Sequence, residues 1–421
     1  MVKNDPEIFD ESLSGQMDKL IVQPLVQSAI STVIVIDALD ECIDTKPVSA
    51  ILSVLGQFAA KIPNVKLFVT GRPDPRIREG FRLRPVAKLT GVLVLHEVEL
   101  SRVNSDVRLF FTHSFSEIKS REFVSDDWPT KEQVDLLCQR AAGLFVYAMA
   151  TIMFVGQPTM NPKKRLDRLL QSPDSVLEGR TKLTETTTLD SLYMSILQAA
   201  FKNHDSEDGP DVRSVLSAVI LSTNPLSPFA IAKLLGFEVE DVFPLLSSAS
   251  SLLLFQKDIN HPVRPFHKSF PDFIVDPARC TDPRFHVCLS DQHARLLVGC
   301  LELMNKTLMQ NMCDLPDGVI NSEVKDLKER TGRCIDSALE YACRSWHRHL
   351  INKMSTRTLK ILHQFLTEKF LFWLEVLSVT GAARHAVDAL EVIVKWLDVR
   401  YISSLVHFQK FIGLSLDIAN S

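Results

Sequence analysis

Residues 33–42, VIVIDALDEC, join a run of apolar, β-prone residues to three carboxylates within five positions, Asp37, Asp40 and Glu41. A run that is apolar at every position is typical of a parallel strand covered on both faces. Taken alone, the carboxylates have two equally acceptable interpretations. They are a helix N-cap and first turn, where acidic side chains are favoured, or a site whose counter-ion is positive.

The segments that follow complete a β–α–β unit. Residues 47–62 have an amphipathic helical pattern that begins at Pro47, and residues 64–73, NVKLFVTGRP, are a second apolar strand stopped by Gly and Pro. The two strands should be parallel, because such a crossover returns the chain in the same direction. A third short strand is predicted at 92–98. A helix is predicted before the first strand, over 14–30.

The composition is that of a globular protein with several domains. The chain has 421 residues, of which 46% are hydrophobic and 23% charged. The net charge of −4 gives no general attraction to nucleic acid or anionic membranes. No signal peptide is visible, and the longest uncharged run, 141–156, is shorter than the roughly 20 residues of a membrane span, so we expect a buried helix there. The eight cysteines form no CxxC pair, which favours reduced thiols in the cytoplasm.

The strand signal largely disappears after residue 104. The pattern then predicts helices up to a linker at 205–210. Residues 211–275 have a winged-helix pattern of three helices and a hairpin near 252–266. Residues 290–421 read as helical, with a polar loop near 314–322.

Three segments, in this order along the chain, resemble a known family. VIVIDALDEC (33–42) and KLFVTGRPDPRI (66–77) resemble the Walker B and sensor-1 segments of fungal, mushroom-type NACHT proteins. These are STAND-class P-loop NTPases with a nephrocystin-like N-terminal domain. RPFHKSFPDFIVDPARC (264–280) resembles the histidine motif of their winged helix. The resemblance covers roughly residues 5–355.

The resemblance implies roles for the acids and the arginine. Asp37 would hold Mg²⁺ as the Walker B acid, and Asp40 and Glu41 would order the attacking water. Arg72 would sense the γ-phosphate. A phosphate-bound Mg²⁺ needs few protein carboxylates, so this set suffices.

The resemblance also implies nucleotide contacts from later segments. Gly143 and Leu144 stand where relatives contact the adenine, although Phe145 departs from their Gly-Leu-Pro pattern. His267 would contact the ADP phosphates and hold a closed state.

The phosphate-binding loop GxxxxGK[ST] does not occur in the sequence. The family places it before the Walker B segment, so we expect the chain to begin after it. The predicted fold class is an α/β partial P-loop NTPase core, with an incomplete parallel sheet, followed by mostly α-helical domains including a winged helix. The predicted domains are the end of the nucleotide-binding core, a helical domain, the winged helix and a helical C-terminal domain, over 1–103, 104–205, 206–289 and 290–421.

The function implied by the resemblance is a fragment or degenerate member of a nucleotide-controlled switch in cytoplasmic signalling or self/non-self defence. The complete family hydrolyses ATP or GTP and uses ATP or ADP with Mg²⁺, whereas we expect this chain to hold no nucleotide tightly. The expected partners are proteins or further copies, reached through the missing N-terminal part or the helical C-terminal region, with no nucleic acid and no membrane. Two alternatives remain open. One is a non-catalytic interaction or regulatory module without nucleotide turnover, and the other is an independent Mg²⁺-dependent enzyme that uses the acids of 37–41.

Simpler interpretations exist for individual residues. Arg72 alone is compatible with an ordinary surface arginine, and His267 alone with a satisfied core or hairpin histidine. The segment 228–241 carries one Lys and three acids, which favours a switch module over a DNA-binding helix. A zinc site is a remote alternative because the spacing fits no recognised finger, and its ligands would be Cys280, His286, Cys288 and His293.

Overall fold

The computed structural model divides the chain into two compact units, Met1–Val98 and Glu99–Ser421. The predicted boundaries inside the second unit remain predictions. The residues that the structure describes are 8, 11–28, 31–41, 45–59, 61–62, 64–72, 75–82, 86–122, 124, 127–158, 161–171, 185–202, 211–316, 318–350 and 355–398.

The first unit contains the predicted β–α–β arrangement. Its elements are α1 (Leu13–Met17), a π-helical turn (Asp18–Val22), α2 (Gln23–Ser28), β1 (Thr32–Ile36), a 3₁₀ turn (Leu39–Glu41), α3 (Thr45–Ala59), β2 (Val65–Val69), α4 (Pro75–Arg82), α5 (Val86–Leu89) and a second 3₁₀ turn (Leu95–Glu97). β1 and β2 pair in parallel, with Ile36 opposite Val69. The parallel pairing predicted from the sequence is confirmed.

The two strands bury one face. Ile36 and Val69 pack against a small core that includes Leu52 of α3. Val35 and Phe68 point to the other face and remain 63% and 60% exposed. The prediction of coverage on both faces is therefore wrong for the described residues, because alternate side chains of a strand point to opposite faces and α3 covers only one of them.

The predicted strand at 92–98 is also wrong. Residues 91–94 belong to no regular element, and Leu95–Glu97 form a 3₁₀ turn. Glu97 N–H donates to Val94 O at 3.1 Å and Val98 N–H donates to Leu95 O at 3.2 Å, so local bonds replace the ladder that a strand needs. Val92 and Leu93 are 75% and 78% exposed, so the described part of this unit does not bury these apolar side chains.

The second unit is helical apart from one short hairpin, within the described residues. Its elements are α6 (Leu100–Glu122), α7 (Lys131–Ala141), α8 (Phe145–Val155), α9 (Pro162–Gln171), α10 (Glu185–Ala200), α11 (Val212–Leu221), α12 (Pro228–Leu235), α13 (Val239–Ser248), β3 (Leu253–Leu254), β4 (Arg264–Pro265), α14 (Ser269–Ile274), α15 (Leu289–Thr307), a 3₁₀ turn (Asn321–Glu323), α16 (Leu327–Cys334), α17 (Ser337–Ser345), a 3₁₀ turn (Trp346–His349), α18 (Thr356–Gln364), a π turn (Phe365–Lys369), α19 (Phe370–Val379) and α20 (Arg384–Asp398). The predicted helical character after residue 104 is confirmed, and residues 399–421 lie outside the described residues.

Local capping residues mark the ends of two helices in this unit, α7 and α12. Thr130 and Gln133 form a reciprocal capping box at the start of α7. Ser227 caps α12, Pro228 occupies its first turn, and Gly236 ends it at φ +75°. The apolar run at 141–156 forms the buried helix α8, as predicted. Among the described helices, none is both long and apolar enough to cross a membrane.

Residues 212–265 form three helices and a small antiparallel hairpin. Leu253 pairs with Pro265 and Leu254 with Arg264. Leu226, which precedes α12, forms an antiparallel bridge with Val263. The hairpin is therefore attached to the helices through the segment between α11 and α12.

Candidate functional site

The carboxyl ends of β1 and β2 bring Asp37 next to Thr70. The register places the residue after Ile36 opposite the residue after Val69. The Thr70 hydroxyl donates to Oδ1 of Asp37 and accepts the Ala38 N–H at 2.9 Å. One threonine therefore orients the first acid of the cluster and holds the backbone that follows it.

Ala38 makes a sharp turn at this edge. Its φ of +52° lies in the left-handed region, which costs an L-residue roughly 1–2 kcal/mol. The turn is held by Thr70, whose hydroxyl accepts the Ala38 N–H and whose carbonyl accepts the Leu39 N–H at 2.9 Å. Strain of this kind persists only where surrounding bonds enforce it, and it concentrates at functional sites.

Asp40 is bound to Arg72. Oδ1 of Asp40 accepts the Arg72 backbone N–H at 3.0 Å, and Oδ2 lies 3.7 Å from the Arg72 Nε. The Asp40 side chain is only 8% exposed, whereas that of Arg72 is 49% exposed. Asp40 thus fixes the loop after β2, while the guanidinium stays at the surface.

Glu41 has a different environment from the other two acids. Its backbone N–H donates to Ala38 O at 2.9 Å, and its side chain is exposed. Within the described residues its carboxylate accepts no hydrogen bond. The edge therefore presents one oriented acid, one acid paired with arginine and one solvated acid.

Gly143 and Leu144 lie in a tight connection between α7 and α8, in the second unit. Ala142 and Gly143 are both left-handed, at φ +46° and +83°. Leu144 caps α8, and Phe145 is its first residue. The Phe145 ring packs edge-on against Phe110, with centroids 6.1 Å apart, which gives an apolar contact where the family pattern has proline.

His267 is held by the first turn of α14. Its Nδ1 accepts the Ser269 N–H at 3.2 Å and lies 2.6 Å from the Ser269 hydroxyl. A backbone N–H can only donate, so Nδ1 carries no proton and the ring holds its proton on Nε2. The Ser269 hydroxyl lies 2.7 Å from the Tyr193 hydroxyl, and burial raises the pKa of Tyr193 to about 12, so this phenol stays protonated.

Two comparisons with known proteins bear on this arrangement. Residues 1–72 match the family model for the N-terminal domain of nephrocystin 3, and this range contains Asp37, Asp40, Glu41 and Arg72. The chain is also 23% identical over 390 residues to vegetative incompatibility protein HET-E-1 of Podospora anserina, a NACHT/STAND protein.

The chain is similar to fungal NACHT proteins. The match covers 85% of this chain and 26% of the relative, so the chain spans about a quarter of the relative's length. No solved structure matches it. The resemblance predicted from the sequence is confirmed, while the roles of individual residues remain predictions.

The acids of the NACHT-like chain suit Mg²⁺ chemically. Asp37 is exposed at the edge of the sheet, and only its Oδ1 is bonded to a described residue, Thr70. An oriented carboxylate oxygen is a ligand that Mg²⁺ prefers, and Mg²⁺ takes few such ligands when phosphates and water supply the rest.

The zinc alternative finds no geometric support. Among the described residues there is no group of three or more His, Cys, Asp or Glu side chains that could hold a metal ion. Cys280 is buried, and burial raises the pKa of its thiol to about 11, which disfavours the thiolate that zinc requires.

Thr70, Ala38 and Ser269 are the positions of this NACHT-like chain that the sequence reasoning missed. For Thr70 a signal existed, because two parallel strands of equal length place the residues after Ile36 and Val69 side by side. The left-handed Ala38 had no such signal, since its conformation follows from bonds to Thr70.

Proposed function

We propose that the chain belongs to a nucleotide-controlled conformational switch of NACHT type, acting in cytoplasmic signalling or self/non-self defence. The observation that carries the proposal is the convergence of Asp37, Asp40 and Glu41 with Arg72 at the carboxyl edge of two parallel strands. Ligands of open α/β sheets bind at this edge. Proteins or further copies of the chain are the proposed partners.

The residues at this edge have different proposed roles. Asp37 would hold Mg²⁺, which supplies charge neutralisation to the phosphates of ATP or ADP. Asp40 holds the loop of Arg72 through the backbone N–H, so it positions the guanidinium for a phosphate oxygen. Glu41, which is solvated, is the acid best placed to order a water molecule.

A winged helix is the proposed moving part. Three helices, the hairpin of β3 and β4 and the bridge from Leu226 to Val263 support this interpretation of residues 212–265. His267, with its proton on Nε2, offers a donor of the kind that binds phosphate oxygens. A nucleotide shifts such a switch only by binding its two states with different affinity.

Equilibrium binding of a fluorescent ADP analogue to the purified chain tests the proposal. We expect weak binding that requires Mg²⁺ and that Asp37→Asn weakens about tenfold, since a charge-assisted contact contributes about 1.5–3 kcal/mol. Glu97→Gln is the matched control, because it removes one exposed carboxylate of the same unit that belongs to neither 37–41 nor 70–72. Binding that needs no Mg²⁺, or equal losses in both variants, would refute the role of Asp37.

The alternative is an interaction or regulatory module without nucleotide turnover. It is favoured by the engagement of Asp40, a predicted water-ordering residue, with Arg72. Under this alternative no Mg²⁺-dependent binding appears at any nucleotide concentration. The same titration therefore separates the two functions.

A further inference from the structure

An open cleft of about 410 Å³ lies in the second unit, and positive side chains line it. Such a volume is at the lower end of the range of about 300–1,000 Å³ for small-molecule sites. The lining residues are Arg168 of α9, Gln198 and Ala199 of α10, Lys202 just beyond α10, and Arg284 in the segment before α15.

One wall of the cleft is fixed by Asp282. Its carboxylate accepts from Nε and Nη2 of Arg284 at 3.1 and 2.7 Å. This pairing holds the pKa of Asp282 below its usual range, and the Gln198 side chain donates to the same carboxylate. The Arg284 guanidinium also lies 5.0 Å from the centroid of the Phe285 ring, so its plane is held from two sides.

The other two cations lack such a partner. Arg168 and Lys202 are exposed, and neither forms an ion pair with a described residue. Burial lowers the pKa of the neighbouring Arg165, and the positive charge of Arg168 lowers it further. Among the described residues at the cleft, one carboxylate, Asp282, stands against three cations, which leaves two positive charges whose mutual repulsion an anion would relieve.

We propose that this cleft binds a small phosphorylated molecule, a phosphate monoester or a pyrophosphate. A phosphate dianion matches the excess charge, and the planar fork of arginine matches two phosphate oxygens. Lys202 adds a point charge, and Ala199 leaves an apolar surface for a short organic group. All five of its described lining residues belong to the second unit, so the inference does not depend on the acids near residue 37.

Calorimetric titration of the full chain with pyrophosphate, and separately with glycerol 3-phosphate, tests the inference. The buffer contains about 0.15 M salt and a chelator, which removes Mg²⁺ and with it any contribution from Asp37. We expect one saturable site for at least one probe, with affinity at least tenfold lower in the double variant Arg168→Gln/Lys202→Gln. The tighter probe identifies the ligand class.

The matched control is Lys257→Gln/Arg264→Gln, which removes two exposed positive charges in the hairpin. It should bind like the unaltered chain. An equal loss in the control would show an effect of net charge only and would overturn the inference. Absence of binding by the unaltered chain would also overturn it.

A second readout needs no substitution and does not depend on variant folding. Acetylation of Lys202 by an amine reagent should slow severalfold when the bound probe is present, with Lys257 as the internal reference. Equal rates at Lys202 with and without the probe would contradict binding in the cleft.

Discussion

Thr70 organises the acidic edge more than any acid does. Its hydroxyl donates to Asp37 and accepts from Ala38, and its carbonyl accepts from Leu39. Removal of this one hydroxyl leaves the Ala38 N–H without its partner and the Asp37 carboxylate unoriented.

Thr70→Val should lower the free energy of unfolding by about 1–3 kcal/mol, because valine keeps the shape of threonine but cannot bond to Ala38 or Asp37. Urea unfolding followed by far-UV circular dichroism measures the change. Thr70→Ser keeps the hydroxyl, so its free energy of unfolding should fall by less. A loss of stability in Thr70→Ser that equals or exceeds the loss in Thr70→Val would mean that packing of the Thr70 methyl group matters at least as much as its hydrogen bonds and would contradict this prediction.

His349 is a second residue whose chemistry depends on its surroundings. Its Nδ1 lies 2.9 Å from Nδ1 of His293, and its Nε2 lies 2.8 Å from the Tyr341 hydroxyl. The two Nδ1 atoms can share one proton, but a second proton would set two N–H groups against each other. Chiefly through burial, the pKa of His349 is lowered to about 3 and that of His347 to about 4.

Stability should therefore fall on acidification. Above about pH 6.5 neither the folded nor the unfolded chain protonates these rings; below it the unfolded chain binds protons that the folded chain excludes until the pH nears 3–4. For each ring, the free energy of unfolding should fall by up to about 1.4 kcal/mol per pH unit in this window. The free energy of unfolding of the unaltered chain should be lower at about pH 5 than at about pH 7.5. This difference should be smaller in His349→Gln, whose amide has both a donor and an acceptor to replace those of the ring. His363→Gln, at an exposed position of α18, should leave the difference unchanged, and an unchanged difference in His349→Gln would disprove the assignment.

At the scale of elements, α12 and α15 approach closely where Gly299 faces Leu234. A Cβ built on Gly299 would lie 1.9 Å from the Leu234 carbonyl oxygen, which is backbone and cannot rotate away. The crossing of these two helices therefore requires glycine at this position. The segment that contains it, α15, also carries His293.

Gly299→Ala should lower the melting temperature of the second unit, with a loss of about 1–3 kcal/mol or more from forced separation of the helices. Gly332→Ala is the matched control, because Gly332 lies in α16 with nothing within 4 Å of the added Cβ. It should raise the free energy of unfolding by about 0.5–1 kcal/mol through reduced entropy of the unfolded chain. Equal behaviour of the two variants in a thermal melt would exclude the close approach.

At the scale of the whole molecule, the predicted site residues belong to two units. Asp37, Asp40, Glu41 and Arg72 lie in the first, and Gly143, Leu144 and His267 lie in the second. The edge near Asp37 supplies carboxylates and one arginine, while no GxxxxGK[ST] loop occurs in the sequence.

The purified chain should accordingly show no substantial ATPase activity. Carboxylates position Mg²⁺ and water, but the backbone amides and lysine that cradle the phosphates have no substitute among the described residues at this edge. A coupled phosphate-release assay should give the same background for the unaltered chain and for Asp37→Asn. Steady hydrolysis that is lost in Asp37→Asn would contradict this expectation.

The sequence alone determined the elements whose signals are local. VIVID and KLFVT predicted two strands, the intervening amphipathic pattern predicted α3, and the crossover rule made the strands parallel. From that pairing alone Asp37 and Arg72 were expected at one edge. Caps such as Thr130 and Ser227 mark helix starts because the bonds that they make span only three residues.

Only the tertiary structure decided what depends on distant partners. The apolar run at 92–98 became a turn, because a strand exists only where a neighbouring backbone accepts its hydrogen bonds. Asp40 became a partner of Arg72, Ala38 became left-handed under Thr70, and His349 became a buried neutral ring between His293 and Tyr341. In the last three cases the deciding hydrogen bond joins residues that lie 8 or more positions apart in the chain, and burial then sets its strength, so no local pattern of residues encodes it.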